Sequence, residues 1–186
     1  MSLEKTTDAS EMGLTPYPEI WTEGTLFHLT SRWPQKYESS RADRLVSILE
    51  LGLISPGLDP QNPIAISDIN ITVEGSHIPY DSVVYLHRFA LPHSIYYLPR
   101  HDDTLCFFVD SEIPVWEPKD MGYAWPIICQ DEVYVPNQIP RERITGLAIS
   151  IGAFDIVRSE YGESIAASNI PLYTFDLAGN IYHTQC

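Results

Sequence analysis

Along most of this chain the apolar residues come in short runs bounded by Pro, Gly, Ser or Asp, the pattern of strands separated by turns. Leu26-Phe27-His28-Leu29-Thr30 is the first such run, and the stretches 81–89, 103–109, 127–135 and 144–151 read the same way. One segment breaks the pattern. Between Ala42 and Leu51 the residues Leu45, Ile48 and Leu49 recur at helical spacing, with Ser40 ahead of them as an N-cap and Gly52 where a left-handed C-cap is wanted. Leu53 and Ile54 then continue extended to Ser55-Pro56-Gly57. A second helix is expected over 155–167, weakened by Gly162, and the stretch 171–183 holds two strand-like runs around the hairpin-turn sequence Ala178-Gly179-Asn180. Residues 1–24, with Gly13, Pro16, Pro18 and little periodicity, read as an arm lying on the surface or left loose, which leaves 25–186 as the folded domain. An early helix followed mainly by strands predicts an α+β class, and no internal repeat alters that reading.

Composition narrows the functional classes. A chain of 186 residues with 44% hydrophobic and 11% aromatic residues can bury a core as one domain, which excludes a disordered polymer. Runs such as Ile64-Ala65-Ile66 and Ile127-Ile128-Cys129 are too short to span a bilayer, and the opening MSLEKTTDAS is no signal peptide. The expectation is a soluble, cytoplasmic protein with no membrane partner, export by a dedicated system being left open. Three scattered cysteines make neither a disulfide framework nor a zinc site; Cys106 and Cys129 read as small core residues and Cys186 as an exposed thiol. Eleven Lys and Arg against 25 Asp and Glu give a net charge of −14, which argues against coating duplex DNA. The cations are eight Arg to three Lys, so a local basic cleft that grips phosphate with a planar fork remains open.

The arrangement richest in chemistry joins His28 on its strand, the helix after it, and Glu132 in the stretch CQDEVYVPNQIPRERITGLAI. A His-x-Thr strand followed by a helix ending in Gly-Leu-Ile resembles the opening of the ADP-ribosyltransferase fold, nearest to the toxin-type transferases that modify DNA. An acidic residue entering a Val-x-Val strand, then Ile-Pro and another strand, resembles that family's third motif. The terminal Pro-Leu-Tyr-Thr-Phe-Asp-x-x-Gly-Asn stretch is similar to some members as well.

That resemblance implies a single α+β domain on a split or strongly bent, mostly antiparallel sheet. It implies transfer of ADP-ribose from NAD to an acceptor with release of nicotinamide, NAD being a substrate and no metal being expected. Glu132 is then assigned to the ribose 2′-hydroxyl and the positive charge that develops as the glycosidic bond breaks. His28 holds the nicotinamide-side ribose, the Leu29 backbone lies near the amide, and Thr30 supports the same pocket. Arg32, Arg41 or Arg44 meets the pyrophosphate. The family sets a Tyr on the nicotinamide ring, in some branches a pair with ten residues between them; Tyr85 and Tyr96 have that spacing, as do Tyr123 and Tyr134. Gln130, two residues before Glu132, suits selection of the acceptor, which is left open among DNA, RNA phosphate, a protein side chain and water.

Two other arrangements compete. His87, His93 and His101 with Asp102, Asp103 and Asp110 carry ligand types that suit zinc or iron, although their spacing fits no tight motif. An acidic, aromatic-rich surface could also cap a basic partner without catalysis, as an immunity protein does. A Ser or Cys hydrolase finds no Gly-x-Ser-x-Gly elbow and no evident Cys/His pair.

Overall fold

The computed structural model describes residues 14–20, 22–31, 44–58, 70–73, 76–88, 104–117, 132–176 and 179–184. Its strands are β1 (Thr15–Pro16), β2 (Leu26–Ser31), β3 (Leu53–Ile54), β4 (Asn70–Val73), β5 (Ser76–Pro79), β6 (Val83–Arg88), β7 (Thr104–Val109), β8 (Glu132–Pro136), β9 (Gln138–Ile139), β10 (Ile144–Ser150), β11 (Leu172–Phe175) and β12 (Ile181–His183). The α-helices are α1 (Arg44–Leu51) and α2 (Phe154–Ser168). Eight strands form one sheet in the order β1-β12-β11-β10-β7-β2-β6-β8, and β3-β9 and β4-β5 form two-stranded sheets. Among the described strands of the large sheet only β10 and β11 run parallel, α2 carrying the chain between them; the other pairs are antiparallel. The class is therefore α+β, with a mostly antiparallel sheet and few helices.

The central strands are apolar without alternation because both of their faces are covered. In β7, Leu105, Phe107 and Val109 belong to the main core, and Cys106 and Phe108 belong to a second cluster on the opposite face. The main core holds Leu45, Ile48 and Leu49 from α1 and Phe154, Val157 and Ile165 from α2 over Leu26, Leu86, Val133, Leu147 and Ile149 of the sheet. The helical stripe in the sequence is thus the buried face of α1, worth about 2–5 kcal/mol per Leu→Ala truncation at such positions. Cys106 is fully buried, and desolvation pushes its thiol well above the usual range, so it is a core residue as its run implied. Cys129 and Cys186 lie outside the described residues.

Several boundaries have local causes. Gly52 ends α1 at φ 88°, its N–H donating to Ile48 O at 2.9 Å; Ser40 lies outside the described residues. The run 81–89 becomes a strand only at Val83, since Tyr80–Ser82 forms a 3-10 turn in which Ser82 Oγ donates to Pro79 O at 2.7 Å. α2 runs through Gly162 and ends at Asn169 in the left-handed region, with Arg141 Nη2 donating to the Ser168 carbonyl at 2.8 Å. The β11–β12 turn is tied by Asp176, whose carboxylate accepts from Asn180 N, Asn180 Nδ2 and the Tyr182 hydroxyl. Within the stretch read as an arm, Thr15–Pro16 pairs with β12 at the sheet edge. No helix among the described residues is long and apolar enough to cross a membrane.

Candidate functional site

The sheet divides at β2. That strand pairs with β7 from Leu26↔Val109 to Ser31↔Thr104, but with β6 only at Leu26↔Arg88 and Phe27↔His87. β6 pairs instead with β8, from Val83↔Pro136 to His87↔Glu132. After Phe27 the ladder between β2 and β6 stops, and His28 sits at the fork. There its Nδ1 lies 2.9 Å from the Tyr85 carbonyl oxygen, a side-chain bond where backbone pairing has ended.

This contact fixes the chemistry of the imidazole. A carbonyl only accepts, so Nδ1 carries the hydrogen and Nε2 of the neutral ring is an acceptor. Burial lowers the His28 pKa to about 4; the Tyr85 carbonyl pulls it back up, and His87 and the Arg44 charge add to the lowering. At neutral pH the ring is uncharged, with an acceptor nitrogen to offer. Thr30, two residues on and so on the same face of β2, accepts from Arg44 Nη1 at 3.0 Å. The first residue of α1 is thereby tied to the strand that carries His28. Leu29 points the other way, packing on the cluster of Phe27, Cys106 and Phe108, which leaves only its backbone for the fork.

The other side of the fork is the β6–β8 ribbon. Tyr85 lies opposite Tyr134 and His87 opposite Glu132, and partners in register share a face. The rings of His28 and Tyr85 are 5.0 Å apart, those of Tyr85 and His87 6.2 Å, and those of Phe27 and His87 5.3 Å. The Tyr134 hydroxyl donates to Glu132 Oε2 at 3.0 Å. Burial raises the Glu132 pKa, partly offset by that hydrogen bond. Burial also raises the Tyr85 phenol, the Glu132 charge raises it further, and Arg44 lowers it. Tyr85 therefore feels both the carboxylate of β8 and the guanidinium of α1 while its ring meets His28.

Of the residues singled out in the sequence, His28, Thr30, Arg44, Tyr85 and Glu132 come together around the fork, with Leu29 contributing backbone. Arg32, Arg41, Tyr96, Tyr123 and Gln130 lie outside the described residues, as do His93, His101, Asp102 and Asp103. Of the histidine–aspartate set, His87 packs among aromatic rings and Asp110 accepts from Arg143 Nη1; among the described residues no three His, Cys, Asp or Glu side chains group as metal ligands. Sequence reasoning noted Tyr134 only for its spacing from Tyr123 and took His87 only as a metal ligand, not as neighbours of Glu132. The signal that finds them is period two: Tyr85-x-His87 on one strand and Glu132-x-Tyr134 on the next. Compared with models of protein families, with curated proteins and with solved structures, the chain shows no match.

Proposed function

We propose that this protein transfers ADP-ribose from NAD to an acceptor nucleophile. The observation that carries the reading is the fork itself: a neutral imidazole, a tyrosine ring and a half-buried carboxylate from three neighbouring strands, with a guanidinium beside them. In the reaction the bond between the nicotinamide nitrogen and ribose C1′ breaks, its electron pair leaving with nicotinamide and cancelling the pyridinium charge. The sugar becomes oxocarbenium-like, and Glu132 as a carboxylate stabilises it while accepting from the ribose 2′-hydroxyl. The acceptor's lone pair then bonds to C1′ and its proton departs.

The other groups suit this division of labour. His28 Nε2 accepts from a ribose hydroxyl, a task for which a neutral ring is required. The Tyr85 ring offers a face to nicotinamide. Arg44 commits one N–H to Thr30 and keeps further donors for the pyrophosphate, with Arg32 and Arg41 as the other proposed phosphate ligands. Tyr96 and Gln130 retain their proposed places at the nicotinamide and at the acceptor.

Calorimetric titration with NAD, beside nicotinamide release by the wild type, Glu132→Gln and His28→Ala, tests the proposal. Saturable binding weakened by His28→Ala is expected, with turnover in Glu132→Gln lower by about 10²–10³-fold at nearly unchanged NAD affinity. Absence of binding at millimolar NAD would sink the reading.

A further inference from the structure

Glu132 and Tyr134 stand two residues apart on β8 and project from one face. The Tyr134 ring is fully buried and tightly held: Val83 packs against it, Tyr85 lies across from it in register, and its backbone N–H and C=O both pair with Trp116, at 2.9 and 2.7 Å. The phenol held in this way presents its hydroxyl to Glu132 Oε2, to which it donates at 3.0 Å. We infer that Tyr134 is the positioning residue of Glu132: its O–H occupies Oε2, sets the rotamer of the carboxylate and leaves Oε1 as the oxygen for an incoming sugar hydroxyl.

This inference rests on the NAD reading for its catalytic meaning, but the coupling of the two side chains is testable without it. Among the described residues, the groups facing the Glu132 carboxyl are Tyr85 and His87 of β6 and Tyr134 of its own strand, with Arg44 acting on Tyr85 from α1. Burial favours the protonated acid, and the Tyr134 hydroxyl is the donor that opposes it. Without that donor the carboxyl both loses its fixed orientation and protonates at a higher pH. A protonated Glu132 can neither stabilise an oxocarbenium nor accept from a hydroxyl in the same way.

The test is a carbon-13 NMR titration of the glutamate carboxyls, assigned with Glu132→Gln, in the wild type and Tyr134→Phe, beside the pH profile of nicotinamide release. Tyr134→Phe is expected to move the Glu132 titration up by about one pH unit. The acidic limb of kcat should move with it, with KM for NAD little changed. An unmoved carboxyl titration overturns the proposal. Should Tyr134→Phe fail to fold, 3-fluorotyrosine at position 134 keeps the ring and strengthens the donor, and the titration must then move down; no downward movement overturns the proposal equally. The two readings separate cleanly. A shifted titration without any nicotinamide release supports the Tyr134–Glu132 coupling and rejects the transferase, whereas release whose acidic limb ignores Tyr134→Phe rejects the positioning role alone.

Discussion

Burial makes the His28 imidazole fold most readily in its neutral form, against the opposing pull of the Tyr85 carbonyl on its Nδ1–H, and that preference enters the stability of the whole chain. Its pKa is lowered from 6.5 to about 4, so between those values the unfolded chain binds the extra proton and the folded one does not. The stabilisation is fully present above pH 6.5 and is lost as pH falls through 4. It amounts to ~3 kcal/mol at most, since a tenfold change in proton affinity is worth about 1.4 kcal/mol. Glu132 acts in the opposite sense: its carboxyl is raised, so its contribution is present below the ordinary carboxylate pKa and lost as pH rises through the folded value. Urea unfolding of wild type and His28→Asn at several pH values between 7 and 4 separates the two. Asn can keep a donor for the Tyr85 carbonyl but cannot titrate, so the variant is expected to show the flatter profile. An equally steep fall in both proteins would assign the acid sensitivity to other groups.

The two helices give contrasting glycine experiments at the scale of the element. At Gly52 a Cβ would run into the Ile139 carbonyl oxygen and approach Arg141 N to 2.8 Å, on a backbone already at φ 88°. Gly52→Ala is expected to cost about 3 kcal/mol or more, because both the C-cap of α1 and the β3–β9 pairing must shift. At Gly162 a Cβ would meet nothing nearer than Arg158 Cγ at 3.9 Å, so Gly162→Ala should stabilise by about 1 kcal/mol. Thermal unfolding of the two variants checks both signs. The same helices show what a sequence makes legible. β2, α1, β6, β7, β10 and α2 were readable because each buries a periodic or continuous apolar set. β9 was not, since two residues have no period and their partner is β3, far earlier in the chain. The site divides likewise. His28 and Glu132 stood out through the motifs around them, whereas the parts played by His87 and Tyr134 follow from β6–β8 register, which non-local pairing sets.

At the scale of the whole molecule, the sheet's two edges are closed by short means: β1, a two-residue strand containing Pro16, covers β12, and Trp116 bridges to the outer side of β8. What the surface does not balance is charge. A body of net charge −14 surrounds a fork whose described cation is Arg44, itself tied to Thr30. On the proposed reading NAD brings two phosphate charges and one pyridinium charge, so the distant field of the protein would repel it while the proposed contact with Arg44 at the fork would attract it. These act over different lengths. At 10 mM salt the Debye length is about 30 Å and the whole acidic body is felt; at 150 mM it is about 8 Å and the short-range contact dominates. NAD affinity is therefore expected to rise by ~2–3-fold from 10 to 150 mM NaCl, as screening removes the repulsion of the body. In Arg44→Ala the rise should persist on a weaker baseline, because its origin is the body and not the contact. Calorimetry at three salt concentrations reads both effects. A steady weakening with salt in the wild type would mean that cations at the fork outweigh the acidic surface, and repulsion by the body would then have no part in setting NAD affinity.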